Sequence, residues 1–136
     1  MRAAVAILAN QAAVENGLIY VNGGGWEYVN ALQLPCQASG CIAGVFELEI
    51  AELGLRPVVR FDIHDSAGQL AGFQGSMIVD AMRDEVPEIG FARVPFAVPF
   101  TVVLPKAEVY TARIVAEEGE VLAAIPFSVM LPPERV

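Results

Sequence analysis

Alternation of apolar and polar residues with a period of two is the dominant pattern along the chain. Within residues 41–53, Phe46 and Leu48 fall on one face, while Glu47 and Glu49 fall on the other. Successive side chains of a strand point to opposite faces, so this pattern predicts a β-strand with one buried face and one face in water.

Similar apolar segments recur along the chain and are separated by turn residues at intervals of roughly ten residues, as in many sandwiches. Strands are predicted over residues 3–9, 18–29 with an interruption at 23–25, 41–53, 59–64, 69–80, 94–104, 109–116 and 121–129. The sequence therefore predicts one domain spanning residues 1–136, an all-β antiparallel β-sandwich of about eight strands. Its topology is expected to be Ig-like or jelly-roll-like, with little or no helix.

The segments between the strands carry further predictions. Residues 10–16 are too short for more than one helical turn, residues 30–40 indicate a connection, and residues 81–93 indicate a long loop. Gly72 and Gly75 interrupt the strand at residues 69–80 and indicate a bulge there. Two prolines within residues 94–100 indicate an edge strand or a segment that precedes a strand, because proline cannot donate to a ladder.

The segment at residues 16–26 reads Asn-Gly-Leu-Ile-Tyr-Val-Asn-Gly-Gly-Gly-Trp. Three successive glycines, residues 23–25, mark a sharp bend, since residues without a Cβ adopt positive φ at little cost. A phosphate-binding loop would require a helix after the glycines, and the residues that follow are strand-like. We therefore predict a corner at which Trp26 closes one end of the core.

Composition narrows the classes of function. The net charge of −8 argues against nucleic acids and anionic membranes as partners. No apolar run approaches the roughly 20 residues that span a bilayer, and the apolar stretch at residues 3–9 lacks a cleavage site of the signal-peptide type, so we expect a cytoplasmic protein. The hydrophobic fraction of 55% indicates extensive burial, which leaves open an apolar surface buried against a second copy.

Few residues have the chemistry of a catalytic or metal site. Asp62 and His64 lie two residues apart in a predicted strand and project to the same side, as an acid/base pair or half of a metal site would. A solvated pair beside a hairpin loop is the simpler interpretation. Cys36 and Cys41 are expected to be reduced thiols in the cytosol, although their spacing leaves a disulfide open. No cofactor is predicted.

The aromatic residues offer a second kind of site. Trp26 and Tyr28, together with Tyr20 and Tyr110, have the composition of a sugar-binding platform on a β-sandwich. Packing in the core and at strand edges is the more common role of such residues.

Several motifs resemble those of an uncharacterised bacterial family of small β-sandwich proteins. The resemblance is carried by residues 16–26, by Tyr110 and Gly119, and by Pro126-Phe127-Ser128-Val129. It implies the fold and the domain limits. It implies no activity and no functional residue.

The sequence thus favours a non-enzymatic module that acts through protein–protein contacts or self-association. Two alternatives stay open: a module that binds a small, sugar-type ligand near Trp26, and a metal-dependent enzyme at Asp62 and His64.

Overall fold

A computed structural model describes residues 1–81 and 90–133, which form nine strands and one short 3₁₀ turn. The strands are β1 (Arg2–Glu15), β2 (Leu18–Gly24), β3 (Tyr28–Asn30), β4 (Cys36–Glu49), β5 (Val58–His64), β6 (Leu70–Ile78), β7 (Phe91–Leu104), β8 (Val109–Ala116) and β9 (Val121–Met130). The 3₁₀ turn, Ile50–Glu52, follows β4.

The strands form two sheets packed face to face, which confirms the predicted all-β sandwich. The four-stranded sheet has the order β2-β1-β4-β7, and the five-stranded sheet has the order β3-β9-β8-β5-β6. Every pairing is antiparallel except that of the short β3 with β9. Within the described ranges, no helix has the length and apolarity needed to cross a lipid bilayer.

Aromatic rings from both sheets fill the space between them. On β4 and β7 the even-numbered residues face inward, and the rings of Phe46 and Phe96 stack at 4.2 Å between centroids. Phe61 and Tyr110 contribute from the five-stranded sheet and are fully buried. Alternate residues of the strands face this core, and the period-two pattern of the sequence follows from that alternation.

The helical turn predicted at residues 10–16 is wrong. β1 continues through Glu15, and Asn16 and Gly17 form a two-residue hairpin loop with φ of 51° and 74°. Both central residues of a type I′ turn require positive φ, which Asn-Gly supplies at little cost. Asn16-Gly17 is therefore the turn that joins β1 to β2, and β1 extends six residues beyond its predicted end at residue 9.

The connection predicted at residues 30–40 is partly wrong, because β4 already begins at Cys36. Residues 36–40 pair with β7, from Cys36 opposite Leu104 to Gly40 opposite Phe100. A Cβ on Gly40 would lie 2.7 Å from the Ala9 carbonyl oxygen and 2.6 Å from the Trp26 ring. Gly40 thus marks a close approach inside a strand, and not a turn.

Other local predictions have mixed outcomes. The bulge predicted in β6 lies at Gly72, at φ +82°, whereas Gly75 pairs in register with Phe61 of β5. β7 is an edge of its sheet, as its prolines predict. Residues 82–89 of the predicted loop lie outside the described residues, whereas residues 91–93 belong to β7.

The three glycines mark the point at which the chain leaves one sheet for the other. β2 ends at Gly24 in the four-stranded sheet, and β3 begins at Tyr28 in the five-stranded sheet. Between them, the Gly25 and Trp26 N–H groups donate to the Leu8 carbonyl oxygen at 2.8 and 3.3 Å. The predicted corner is confirmed, and it is the crossover between the two layers.

Candidate functional site

The outer faces of the two sheets differ in charge. On the four-stranded sheet, Cys41 lies between Ala9 and Pro99, and these cross-strand neighbours point away from the core that Ile42 and Phe100 face. The same alternation defines a surface that we call the uncharged face: Ile7, Ala9, Gln11, Ala13, Tyr20, Asn22, Ser39, Cys41, Ala43, Val45, Pro95, Ala97, Pro99 and Thr101.

Small residues at the centre of the uncharged face are covered by their neighbours. Ala9 and Ala43 are 0% exposed and Cys41 is 7% exposed, although all three point away from the core between the sheets. The predicted alternation of one dry and one wet face therefore fails along the middle of β4. This sheet is apolar on both sides.

A groove of about 680 Å³ opens at the hairpin end of the uncharged face. Pairing of β1 with β4 ends at Ala9 and Cys41, whereas pairing of β1 with β2 continues to Glu15 and Leu18. The groove lies between this hairpin extension and strands β4 and β7, and Tyr20 lines it. Its polar groups are uncharged: side-chain amides from the hairpin and the hydroxyl of a serine on β4.

Charges on the outer side of this sheet are confined to its two ends. Glu15 lies at the hairpin loop. At the opposite end, Arg2 Nη2 donates to Glu47 Oε1 at 2.7 Å, and Arg93 Nε lies 3.9 Å from Glu47 Oε2. Glu47 is consequently only 7% exposed, so its predicted position in water is wrong, while Glu49 is exposed as predicted. Arginines of the two flanking strands cover the Glu47 carboxylate.

The outer face of the five-stranded sheet carries a partly buried ion pair. Arg113 on β8 lies opposite Asp62 on β5 and donates from Nε to Oδ1 at 2.9 Å and from Nη2 to Oδ2 at 3.0 Å. His64 Nε2 lies 3.3 Å from Asp62 Oδ1 and 3.0 Å from Arg113 Nη2. The hydrogen bond with the Asp62 carboxylate raises the pKa of Arg113.

Asp62 and His64 are therefore neighbours, as predicted, but a third residue determines their chemistry. Both Asp62 oxygens accept hydrogen bonds from the Arg113 guanidinium, which places a fixed cation where a metal ion would bind. Among residues 1–81 and 90–133, no three His, Cys, Asp or Glu side chains are grouped so as to hold a metal. Arg113 was missed because only the strand register brings it to Asp62.

The four aromatic residues do not form one platform. Tyr110 is fully buried, and Tyr20 lines the groove of the uncharged face. Trp26 packs edge-on against Phe100 at 5.8 Å and against another core ring at 6.3 Å. Tyr28 is 54% exposed and shares a second hollow of about 360 Å³ with Trp26. The structure thus keeps together only Trp26 and Tyr28 of the predicted set.

The two cysteines are free thiols on opposite sides of β4. Cys36 contacts the core, whereas Cys41 lies on the uncharged face. Because they differ by an odd number of positions in one strand, their side chains diverge. The small disulfide loop that the spacing left open does not form in this structure.

Comparison with known proteins gives a family without a known function. The model of that family, described as "Family of unknown function (DUF6941)", matches residues 4–130. No curated protein matches the chain.

Proposed function

The chain belongs to this family of unknown function, and we propose that it acts by contact with other protein chains through the uncharged face. The mode of action we infer is binding and not catalysis. We also propose a bacterial cytoplasmic location, for which the support is the sequence pattern alone.

The continuity of the uncharged face is the observation that carries this proposal. Between Glu15 at one end and the Glu47 ion pairs at the other, no charged side chain points outward from this sheet. Removal of charge from the centre of a surface is the compositional mark of protein interfaces, because a charge left without a partner there loses its hydration. The outer face with Asp62 and Arg113 lacks this property.

The groove adds a concave site to the uncharged face. Its volume of about 680 Å³ accommodates several apolar side chains of a partner. The Ser39 hydroxyl lies 3.0 Å from the Thr101 hydroxyl on the neighbouring strand, so both are held in place beside the groove. Fixed uncharged polar groups next to apolar surface orient a partner without a desolvation cost for charges.

The support for binding over catalysis comes from the cluster that contains the predicted acid/base pair, Asp62 and His64 with Arg113. Asp62 is 4% exposed and its carboxylate is engaged by Arg113. A general base requires a free lone pair within reach of a substrate proton. This arrangement is better suited to tying β5 to β8.

The test places one charge on each outer face. Ser39→Glu adds a carboxylate at the groove, and Ser76→Glu adds the same carboxylate on an exposed strand position of the other sheet. A photo-crosslinking residue at position 101, introduced in the native host, identifies the partner by mass spectrometry. We expect Ser39→Glu to weaken binding of the purified partner at least about tenfold, which is 1.4 kcal/mol, and Ser76→Glu to leave it unchanged.

Two results would contradict the proposal. One is equal binding of the partner by Ser39→Glu and wild-type protein when both are folded by circular dichroism. The other is crosslinking that is as efficient from position 76 as from position 101.

A further inference from the structure

We propose that the outer edge of β2 pairs antiparallel with β2 of a second copy, so that two four-stranded sheets become one eight-stranded sheet. In such a dimer the uncharged faces of the two copies form one continuous surface. That this surface binds a partner rests on the proposed function. The pairing itself does not depend on that function.

The backbone of β2 has hydrogen-bonding groups directed away from β1. A two-residue hairpin loop closes on a hydrogen-bonded pair, here Glu15 and Leu18, and the bonded positions then alternate along the ladder. Leu18 and Tyr20 therefore bond to β1, whereas the N–H and C=O groups of Ile19 and Val21 point to the other side. No described strand pairs with β2 on that side.

Among the four sheet edges, β2 has the fewest features that block pairing. Edge strands of natural proteins are protected by prolines, charges, bulges or short length. β7 carries Pro95 and Pro99, β6 carries the bulge at Gly72, and β3 is three residues long. β2 reads Leu-Ile-Tyr-Val-Asn-Gly-Gly and has no proline and no charge.

The charge distribution indicates that the strand on this edge comes from a second copy. In an isologous interface the same patch lies on both sides, so a patch that carries charge of one sign repels its copy. Residues 3–26 contain a single charged residue, Glu15, in a chain of net charge −8. Two copies can therefore meet along this segment with little repulsion, and the segment carries the open edge of β2.

The exposed side chains give the pairing a register. Leu18 is 60% exposed, Tyr20 is 54% exposed and Val21 is 40% exposed, so all three gain burial on pairing. Residues whose side chains lie on the uncharged face must pair with residues of the same face in the second copy. A two-fold axis at Tyr20 meets this condition and pairs Ile19 of each copy with Val21 of the other. That axis sets the two Tyr20 rings against each other and pairs every residue from 18 to 22.

The first test is sedimentation equilibrium of the intact chain and two matched variants. Wild-type protein is expected to form a dimer of twice the 14.5 kDa chain. Tyr20→Lys sets like charges against each other and is expected to raise the dimer Kd at least about tenfold. The matched control is Tyr28→Lys, since Tyr28 is also 54% exposed, and it should leave the Kd unchanged. An equimolar mixture of Tyr20→Lys and Tyr20→Glu should restore association.

The second test determines the register in which the two β2 strands pair. In a non-hydrogen-bonded pair the Cα atoms lie about 4.5 Å apart, within the range that a disulfide spans. Tyr20→Cys should therefore oxidise to a covalent dimer, while wild-type protein and Tyr28→Cys stay monomeric on a non-reducing gel.

The outcomes separate this inference from the proposed function. A wild-type protein that stays monomeric, or a dimer that Tyr28→Lys disrupts and Tyr20→Lys does not, overturns the β2 pairing. Partner binding that Ser39→Glu abolishes would still support the uncharged face in either case. Conversely, a β2 dimer whose uncharged face yields no crosslinked partner would retain the pairing and remove the proposed function.

Discussion

At the scale of single residues, Tyr110 fixes the connection between β7 and β8. Its ring stacks on Phe127 at 5.8 Å in the core, and its hydroxyl donates to the Lys106 carbonyl oxygen at 3.0 Å. The Lys106 N–H in turn donates to the Tyr110 hydroxyl at 3.3 Å. Tyrosine corners in Greek-key sandwiches use the same bond back to the backbone a few residues upstream. Burial raises the pKa of Tyr110 above its usual value.

The raised pKa of Tyr110 predicts a loss of stability in alkaline solution. Below the pKa of the unfolded chain, about 10, both states keep the phenolic proton and the contribution is complete. As the pH rises from there towards the folded pKa, only the unfolded state releases the proton, so the free energy of unfolding falls. Tyr110→Phe should remove this slope and cost about 1 kcal/mol at neutral pH.

Denaturant unfolding across a pH series measures both effects of Tyr110→Phe. Tyr28→Phe is the control, because Tyr28 is exposed and should keep the wild-type slope. An alkaline slope that survives in Tyr110→Phe would assign the effect to another group.

At the scale of elements, the crossover between β2 and β3 depends on Trp26. The ring covers the core at Phe100, and the indole N–H donates to Asn10 Oδ1 at 2.9 Å. Trp26→Ala should lower the free energy of unfolding by about 3 kcal/mol, near the low end of the range for aromatic truncations because the ring is only partly buried. Urea unfolding measures this loss. Tyr28→Ala, two residues away and exposed, should change stability by less than about 0.5 kcal/mol, and equal stability of the two variants would mean that Trp26 does not close the core.

The bounds of the strands could be predicted from the sequence in some places and not in others. β8 has the predicted bounds 109–116, because both ends carry turn residues and the alternation is local. The start of β4 was missed because a glycine at position 40 is typical of a turn. The Trp26 ring and the Ala9 carbonyl oxygen, which come close to Gly40 only in the folded chain, explain a glycine inside that strand. For the same reason Arg113 was not assigned to Asp62, which lies 51 positions away and becomes its neighbour only through strand register. Local chemistry could be predicted from the sequence, whereas contacts between distant strands could not.

At the scale of the whole molecule, charge is divided unevenly along the chain. Residues 3–46 contain only Glu15 and Glu27 as charged residues, although the chain has 16 acidic and 8 basic residues in all. That segment supplies β1, β2, β3 and most of β4, and therefore most of the uncharged face and its open edge. In the part of the chain that the structure describes, the charged residues outside that segment lie outside this surface.

This division predicts an unusual response of the β2-paired dimer to salt. The edge itself brings together no charged side chains, while each copy carries a net charge of −8 that repels the other through solvent. Salt shortens the range of that repulsion, to about 10 Å at 0.1 M ionic strength, and leaves backbone pairing and apolar contact in place. The dimer Kd, measured by sedimentation over a series of sodium chloride concentrations, should therefore fall as salt rises. A Kd that rises with salt would instead require attractive ion pairs across the interface, which the sequence of β2 does not contain, and would move the contact to a charged part of the molecule.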